Sequence, residues 1–183
     1  STPDGATRHR QGSSPLAVVV RPGIDAAVAA AVVVTIVAGS RLLKRGAIDF
    51  GQNLAGFGEY TLYGKAGTEF TFRYSDMLTE DNELDFWALT SFIKSGEFQT
   101  DKYIKKSDEA ETWHPSFVYH GFQYIEVSGA DYEPELSDIV GVAVCSDVGD
   151  IGSFSCSDDF LNRLQHLCRW STLANIHSFP TDD

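Results

Sequence analysis

Basic residues, cysteines and catalytic motifs are all scarce in this sequence, and each scarcity narrows what the chain can be. Lysine and arginine number 14 against 26 acidic residues, so the formal net charge is −12. Because so acidic a surface repels phosphate backbones and anionic headgroups, we expect neither nucleic acid nor a membrane as a partner. Three cysteines without a Cys-x-x-Cys pair disfavour structural zinc, and favour reduced thiols and a cytoplasmic location over a disulfide. They are Cys145, Cys156 and Cys168.

Motifs that bind cofactors or activate nucleophiles are also missing. The sequence has no Gly-x-Ser-x-Gly elbow, no P-loop and no Gly-x-Gly-x-x-Gly turn, so no cofactor is expected. A hydrogen-bonded histidine in a packed strand is the favoured interpretation of His120, ahead of a ligand or a general base. Four aspartates cluster near a predicted turn and helix start, where solvation and capping explain them better than a calcium site. They are Asp147, Asp150, Asp158 and Asp159.

The first 46 residues divide into a polar lead and an apolar segment. Residues 1–15 are polar and contain Gly, Ser and Pro, so a disordered lead is expected. Residues 16–46 hold an Ala/Val tract from Ala26 to Ala38, shorter than the ~20 apolar residues that a helix needs to cross a bilayer. A signal peptide or anchor is the less favoured alternative. The valine-rich composition instead indicates one or two buried strands.

From Ala47 the pattern changes to short strands separated by turns. Phe70, Phe72 and Tyr74 alternate with polar residues, which is typical of a strand with one buried face. These features predict a mainly β fold, an antiparallel β-sandwich over residues 47–156. The predicted strands are 47–50, 57–63, 68–74, 100–105, 117–127 and 137–145, with a last short strand at Phe154.

The connections between these strands are predicted from glycine and polar residues. Residues 51–56 are expected to form a turn, and residues 64–67 to close a hairpin between the strands on either side. A β-bulge is expected at Gly121, because the buried face changes phase there. Residues 75–98 are expected to form a long connection with little regular structure and a turn at 81–82.

The last segment, residues 157–183, is predicted to begin with one amphipathic helix. Ser157 is a good N-cap, and Asp158 and Asp159 fall in the first turn, where the helix dipole favours acids. Apolar residues then recur at helical spacing, and the helix is expected to end near His177. A lone helix after many strands needs a partner to cover its apolar stripe. The stripe comprises Phe160, Leu161, Leu164 and Leu167.

Five stretches, taken in order, resemble motifs of the bacterial α-L-rhamnosidases of glycoside hydrolase family 78. The stretch DFGQNLAG resembles the opening of the family's concanavalin-like β-sandwich, and SFPTD resembles a motif of its catalytic domain. Gln123 stands where the family usually has Arg, Asp183 stands where it has Cys, and residues 1–46 do not match its usual first strands. The stretches are residues 49–56, 67–74, 112–124, 146–164 and 178–182.

The resemblance implies a concanavalin-like (jelly-roll) sandwich followed by the first helix of a six-fold (α/α) barrel. It implies a bacterial parent enzyme that hydrolyses terminal α-L-rhamnose from glycosides or polysaccharides, with inversion and without an organic cofactor. Asp182 aligns with an aspartate that contacts rhamnose in the family, and is therefore the substrate-binding candidate. The family's general acid and general base fall beyond Asp183, so the chain alone is expected to be inactive.

The expected partners follow from the same resemblance. They are the catalytic barrel of the same polypeptide, rhamnosides, and a second copy of the chain bound through the exposed helix stripe. The alternative is a free-standing carbohydrate-binding module, which needs a concave face of exposed aromatic residues. Core packing is the favoured interpretation for Trp87 and Trp113, and this weighs against the module.

Overall fold

The computed structural model describes residues 17–21, 31–37, 41–43, 47–91, 93, 96–148 and 151–181. The predicted disordered lead, residues 1–15, lies outside them. The strands are β1 (Ala17–Arg21), β2 (Ala31–Val37), β3 (Arg41–Leu42), β4 (Ala47–Leu62), β5 (Glu69–Ser75), β6 (Met77–Leu78), β7 (Leu84–Asp85), β8 (Thr100–Ile104), β9 (Glu111–Trp113), β10 (His120–Ser128), β11 (Ile139–Ser146), β12 (Ile176–His177) and β13 (Phe179–Pro180). The helices are α1 (Trp87–Thr90), a 3-10 turn (Leu136–Asp138) and α2 (Asp159–Ala174).

Strand β4 belongs to two layers and so closes the fold. Its first half pairs with β3 and β10, and its second half pairs with β9 and β11, always antiparallel. The sheet continues from β10 to β5 and β8, and from β11 to β2 and β1. The two layers meet at Gly56, which pairs with His120 on one side and Ala143 on the other. The predicted antiparallel sandwich followed by one C-terminal helix is therefore confirmed.

The turn predicted over residues 51–56 is wrong, because these residues continue β4. Gly51, at φ 70°, is the one position in this stretch with left-handed backbone. At Gly56 the neighbouring strand approaches too closely for a side chain, since a Cβ atom there would lie 1.8 Å from the carbonyl oxygen of Val142. Glycine serves turns and close strand approaches alike, so composition did not distinguish the two.

The hairpin predicted across residues 64–67 is also wrong. Strands β4 and β5 follow each other in sequence, but β10 lies between them and pairs with both. The intervening residues form a loop in which Gly64 and Gly67 have φ values of 118° and 87°. The backbone N–H of Gly67 donates to the carbonyl of Lys105, which fixes this loop to the end of β8.

Strand β10 begins at His120, not at the predicted Phe117. Phe117 has a φ of 64° and is fully exposed, so it lies outside the sheet. The pairing of β10 with β4 shifts between Phe122, opposite Leu54, and Tyr124, opposite Asp49, so the extra residues of this irregularity lie in β4 and the shift is not at the predicted Gly121. The bulge prediction treated exposed residues before His120 as strand, and this misplaced the change of phase.

The remaining connections contain both confirmed and wrong predictions. Residues 75–98 contain the β6–β7 hairpin and α1, and so have more regular structure than expected. Asn82, at φ 62°, makes the predicted turn. The strand predicted at Phe154 is wrong, because residues 151–156 form no strand and Phe154 is exposed. Strand β11 lies between β2 and β4, as expected of an apolar central strand.

The Ala/Val segment contributes strands to the layer that contains β11. Strands β1 and β2 pair with each other, and β2 pairs with β11. This agrees with the strands expected from valine-rich composition, although residues 22–30 and 38–40 lie outside the described ranges. None of the helices in the described part of the chain has the length and apolar character of a membrane span.

An aromatic cluster fills the space between the layers. Phe70, Phe72 and Tyr74 are fully buried on one face of β5, which confirms the period-2 prediction. Tyr60 stacks on Phe72 with ring centroids 3.8 Å apart, and its hydroxyl donates to that of Tyr74 over 2.8 Å. Burial raises the pKa of both tyrosines, because it disfavours the phenolate form. Each fully buried aromatic side chain contributes ~1.5–3 kcal/mol, so this cluster is the main source of sandwich stability.

Candidate functional site

The substrate-binding candidate, Asp182, lies outside the described residues. The chain is described as far as Thr181, the residue immediately before it in the sequence. The geometry that bears on function is therefore that of α2, of the segment after it, and of the sandwich residues that hold both in place. These features together form the junction between the sandwich and whatever follows it.

The start of α2 is fixed by two side chains. Asp158, not the predicted Ser157, is the N-cap, and its Oδ1 accepts from the backbone N–H groups of Phe160 (2.8 Å) and Leu161 (3.4 Å). Asn162 reaches back to Cys156, donating to its carbonyl over 2.8 Å and accepting from its N–H over 3.0 Å. The bonds to Asp158 satisfy two N–H groups that a helix start leaves unpaired, and those of Asn162 attach the preceding residues to the first turn.

Helix α2 carries an apolar stripe whose side chains are exposed. Phe160 is 70% exposed and Leu167 57%, while Leu161 and Leu164 are also exposed. The predicted stripe is therefore uncovered by the described part of the chain. A run of exposed apolar side chains on one helix face is typical of a surface that contacts another protein segment.

The second half of α2 lies over β4, and Leu167, at the end of the stripe, lines the space between them. Trp170 is partly buried against the aromatic core, and it anchors the helix to the sandwich. Between helix and strand runs a groove of about 430 Å³. Its lining is uncharged and mixes amide, hydroxyl and apolar groups. The lining residues are Gln52, Asn53, Leu54, Ala55, Gly121, Leu167, Trp170, Ser171, Ala174 and Asn175.

The start of β4, beside this groove, is held by Asp49. Its Oδ1 accepts from the backbone N–H of Gly51 over 2.8 Å and from Nε2 of Gln123 over 3.0 Å. Gln123 also donates to the hydroxyl of Tyr124 over 3.0 Å. The glutamine that stands in place of the family's usual arginine thus links β10 to Asp49 without adding a positive charge.

The chain leaves α2 through a tight hairpin, residues 176–181, which we call the C-terminal strap. Its two strands pair Ile176 with Pro180 and His177 with Phe179, so Ser178 is the turn residue, at φ 73°. Thr181 closes the strap, because its backbone N–H donates to the carbonyl of Asn175 over 2.8 Å. The helix ends at Ala174 and not near the predicted His177, because the first strand of the strap begins at Ile176.

The comparisons with known proteins fit this architecture. The family model of the bacterial α-L-rhamnosidase concanavalin-like domain matches residues 43–145, more than half of the chain. The chain belongs to this family. A second family model, the bacterial α-L-rhamnosidase 6 hairpin glycosidase domain, matches residues 149–183, which begin just after the last strand of the sandwich.

The similar proteins and solved structures are α-L-rhamnosidases. An α-L-rhamnosidase of Formosa agariphila is 34% identical over 135 residues, which are 74% of this chain and 14% of that protein. The structure of α-L-rhamnosidase from Dictyoglumus thermophilum superposes with a TM-score of 0.70 at 33% identity, covering 78% of this chain and 16% of that one. The Streptomyces avermitilis α-L-rhamnosidase complexed with L-rhamnose gives 0.69 at 30%, covering 78% and 14%. The chain therefore spans only a small part of the rhamnosidases it matches.

In this rhamnosidase chain His120 is a structural residue, as predicted. It is buried, its Nδ1 lies 2.9 Å from Oε1 of Gln99, and its Nε2 lies 3.0 Å from Oδ2 of Asp101. Its ring stacks on Tyr74 with centroids 4.1 Å apart. Both ring nitrogens are occupied within the sandwich, so His120 has no nitrogen free to bind a ligand.

Candidate metal ligands and thiols are dispersed in the described part of the chain. Across the described ranges, no three His, Cys, Asp or Glu side chains converge as metal ligands. Asp158 caps α2, while Asp150 lies outside those ranges. Cys145 is buried, and burial, followed by the charge of Asp147, raises the pKa of its thiol, which disfavours the reactive thiolate.

The two tryptophans predicted to pack in the core differ from each other. Trp113 stacks on Tyr103 and Phe72, with centroid distances of 4.9 and 5.3 Å, and is partly buried. Trp87 is 78% exposed, so the prediction is wrong for this residue. The sequence missed Ser146 and Tyr119, which contact the C-terminal strap, because no local pattern relates them to residues so far along the chain.

Proposed function

We propose that this chain is the sandwich and first catalytic-domain helix of an α-L-rhamnosidase that hydrolyses terminal α-L-rhamnose from glycosides or polysaccharides. The sandwich acts as a supporting wall for the catalytic barrel, and Asp182 contributes to rhamnose binding. The observation that carries this proposal is the adjacency of two family matches, 43–145 and 149–183, at the point where strands give way to α2.

The exposed stripe of α2 supports the barrel as the partner. A capped helix that is already attached through Trp170 gains little from holding Phe160 and Leu167 in water. In the proposed enzyme these side chains are buried by the neighbouring helices of the barrel. The same stripe, left uncovered in the chain alone, promotes association between two copies.

The experiment compares this 183-residue chain with the polypeptide encoded by the complete reading frame that contains it. We expect the longer polypeptide to release nitrophenol from nitrophenyl α-L-rhamnoside and not from nitrophenyl β-D-glucoside. The chain alone releases none, because the proposed acid and base lie outside it. A longer polypeptide that is folded but silent on the rhamnoside contradicts the proposed activity, and activity in the chain alone contradicts the supporting role.

A free-standing carbohydrate-binding module is the second candidate, and the exposure of Trp87 is the observation that favours it. An indole ring can stack on a sugar, but a module needs several such rings on one face, and Trp113 is taken up by the core. Calorimetry with L-rhamnose separates the two functions. A measurable heat of binding that disappears in Trp87→Ala supports the carbohydrate-binding module. The absence of binding heat at millimolar rhamnose supports the role as a supporting wall of the catalytic barrel.

A further inference from the structure

The C-terminal strap is held by the sandwich as well as by its own helix. On the helix side, Asn175 offers its carbonyl to Thr181, and His177 Nε2 lies 3.1 Å from the carbonyl of Ala174. On the sandwich side, the hydroxyl of Ser146 accepts from the backbone N–H of Ser178 over 2.6 Å. The ring of Tyr119 stacks on His177, with centroids 4.6 Å apart and planes inclined by 25°.

Neither Ser146 nor Tyr119 belongs to the core cluster of the sandwich. Ser146 is the last residue of β11, and its side chain is only partly buried. Tyr119 lies just before β10, outside the sheet, and is 49% exposed. Their side chains reach the strap across the junction, and the core cluster does not include them. Their placement therefore matches a role in orienting the strap better than a role in stabilising the fold.

The bond from Ser146 falls on the most demanding point of the strap. Ser178 adopts a positive φ of 73°, a conformation that a non-glycine residue rarely holds and that costs free energy. A hydrogen bond to its N–H and a stacked ring on the preceding residue both favour this turn over alternatives. The strap ends at Thr181, one residue before Asp182 in the sequence.

We propose that Ser146 and Tyr119 are positioning residues, through which the sandwich fixes the strap that precedes Asp182 in the sequence and so affects binding of the rhamnoside. This rests on the proposed function, since it takes Asp182 as a substrate contact. It gives the sandwich a share in substrate affinity, beyond support of the barrel. A wall that only supports would leave the KM unchanged when these two side chains are altered.

The test uses the full-length polypeptide and nitrophenyl α-L-rhamnoside. Ser146→Ala and Tyr119→Ala are each expected to lower kcat/KM about five-fold, mainly through a higher KM, since each removes one contact of ordinary strength. Ser146→Thr keeps the hydroxyl and Tyr119→Phe keeps the ring, so both are expected to retain the wild-type KM. Ser128→Ala is the matched control, because the Ser128 hydroxyl donates to the carbonyl of Thr71 within the sandwich and does not contact the strap in the described part of the chain.

A second readout, hydrogen exchange in the 183-residue chain, does not depend on activity. The amide of Ser178 is expected to exchange about five-fold faster in Ser146→Ala than in the wild type, with the amides of β4 and β5 unchanged. If the wild-type full-length polypeptide is inactive, the proposed function fails. If it is active and both alanine variants match the Ser128→Ala control in KM, the positioning role is overturned and the proposed function stands.

Discussion

Phe72 in the sandwich has no exposed surface, whereas Phe160 on α2 has 70% of its surface in water. The buried polar side chains of the described residues have hydrogen-bond partners, as the paired hydroxyls of Tyr60 and Tyr74 illustrate. Helix α2 is capped, attached at Trp170 and continued by a fixed strap, yet no residue along it is fully buried. Among the described residues, the sandwich thus has a buried core, whereas α2 has a capped, hydrogen-bonded backbone and no buried side chain.

This difference locates the domain boundary better than chain length does. Stability in the described structure comes from residues that precede α2, and the apolar stripe of α2 contributes little to it. Burial of the stripe would require a neighbouring segment, which in the proposed enzyme is the catalytic barrel. Substitutions in the two regions should therefore have very different effects, and the following variants test the comparison in order of expected size.

The largest contrast is expected between Phe72→Ala and Leu164→Ala. Phe72 is fully buried and stacks on both Tyr60 and Trp113, so its removal leaves a cavity and costs ~3–5 kcal/mol of unfolding free energy. Leu164 is exposed on a helix where alanine is at least as favourable, so its change should stay within ~0.5 kcal/mol. Urea denaturation followed by tryptophan fluorescence measures both. Equal losses for the two variants would show that α2 is part of the core.

The next largest loss of stability is expected at Gly56, where the two layers meet. Gly56→Ala places a methyl group against the carbonyl oxygen of Val142, and the overpacking is expected to cost ~1–3 kcal/mol or more. Gly121→Ala is the matched control, because a Cβ atom there meets nothing within 4 Å. Thermal unfolding of both proteins gives the comparison. An unchanged melting temperature for Gly56→Ala would contradict the close approach of β4 and β11.

The smallest expected effect concerns acid stability. Hydrogen bonds from Tyr103, Ser107 and the backbone of Lys106 and Ser107 lower the pKa of Glu111 to about 2, from its usual 4.5. Because the folded state binds this proton more weakly, the stability from Glu111 is fully present above pH 4.5 and is lost as the pH falls toward 2.

Glu111→Gln should accordingly lower the melting temperature at pH 7, and its deficit should shrink as the pH falls below 4.5. Glu109→Gln, an exposed neighbour, should follow the wild type at every pH. Scanning calorimetry between pH 2 and 7 measures this, and a deficit that does not change with pH would argue against the lowered pKa.

The sequence predicted the elements better than their pairing. The alternation of Phe70, Phe72 and Tyr74 identified a half-buried strand, because burial of one face is a local property of a strand. That β10 would insert between β4 and β5 depends on contacts distant in sequence, which no local window contains. Glycine content was ambiguous in the same way, because glycine occurs both in turns and at close approaches of two strands such as the one at Gly56.

At the junction, the sequence identified the helix and its exposed stripe but not the attachments. Ser157 and Asp158 are both good N-caps in adjacent positions, and only the geometry selects Asp158. The bond between Ser146 and Ser178 joins two ordinary serines and has no signature in sequence. Asp182 remains a prediction carried by the family resemblance alone.

Association of the chain in solution tests the central claim most directly. Light scattering and hydrophobic-dye fluorescence are measured for the wild type and for the double variant Phe160→Ser and Leu164→Ser. We expect the wild type to self-associate and bind dye, and the double variant to be a monomer that binds less dye with an unchanged urea midpoint. A wild-type chain that is a clean monomer without dye binding would contradict the claim that α2 presents a face meant for another segment.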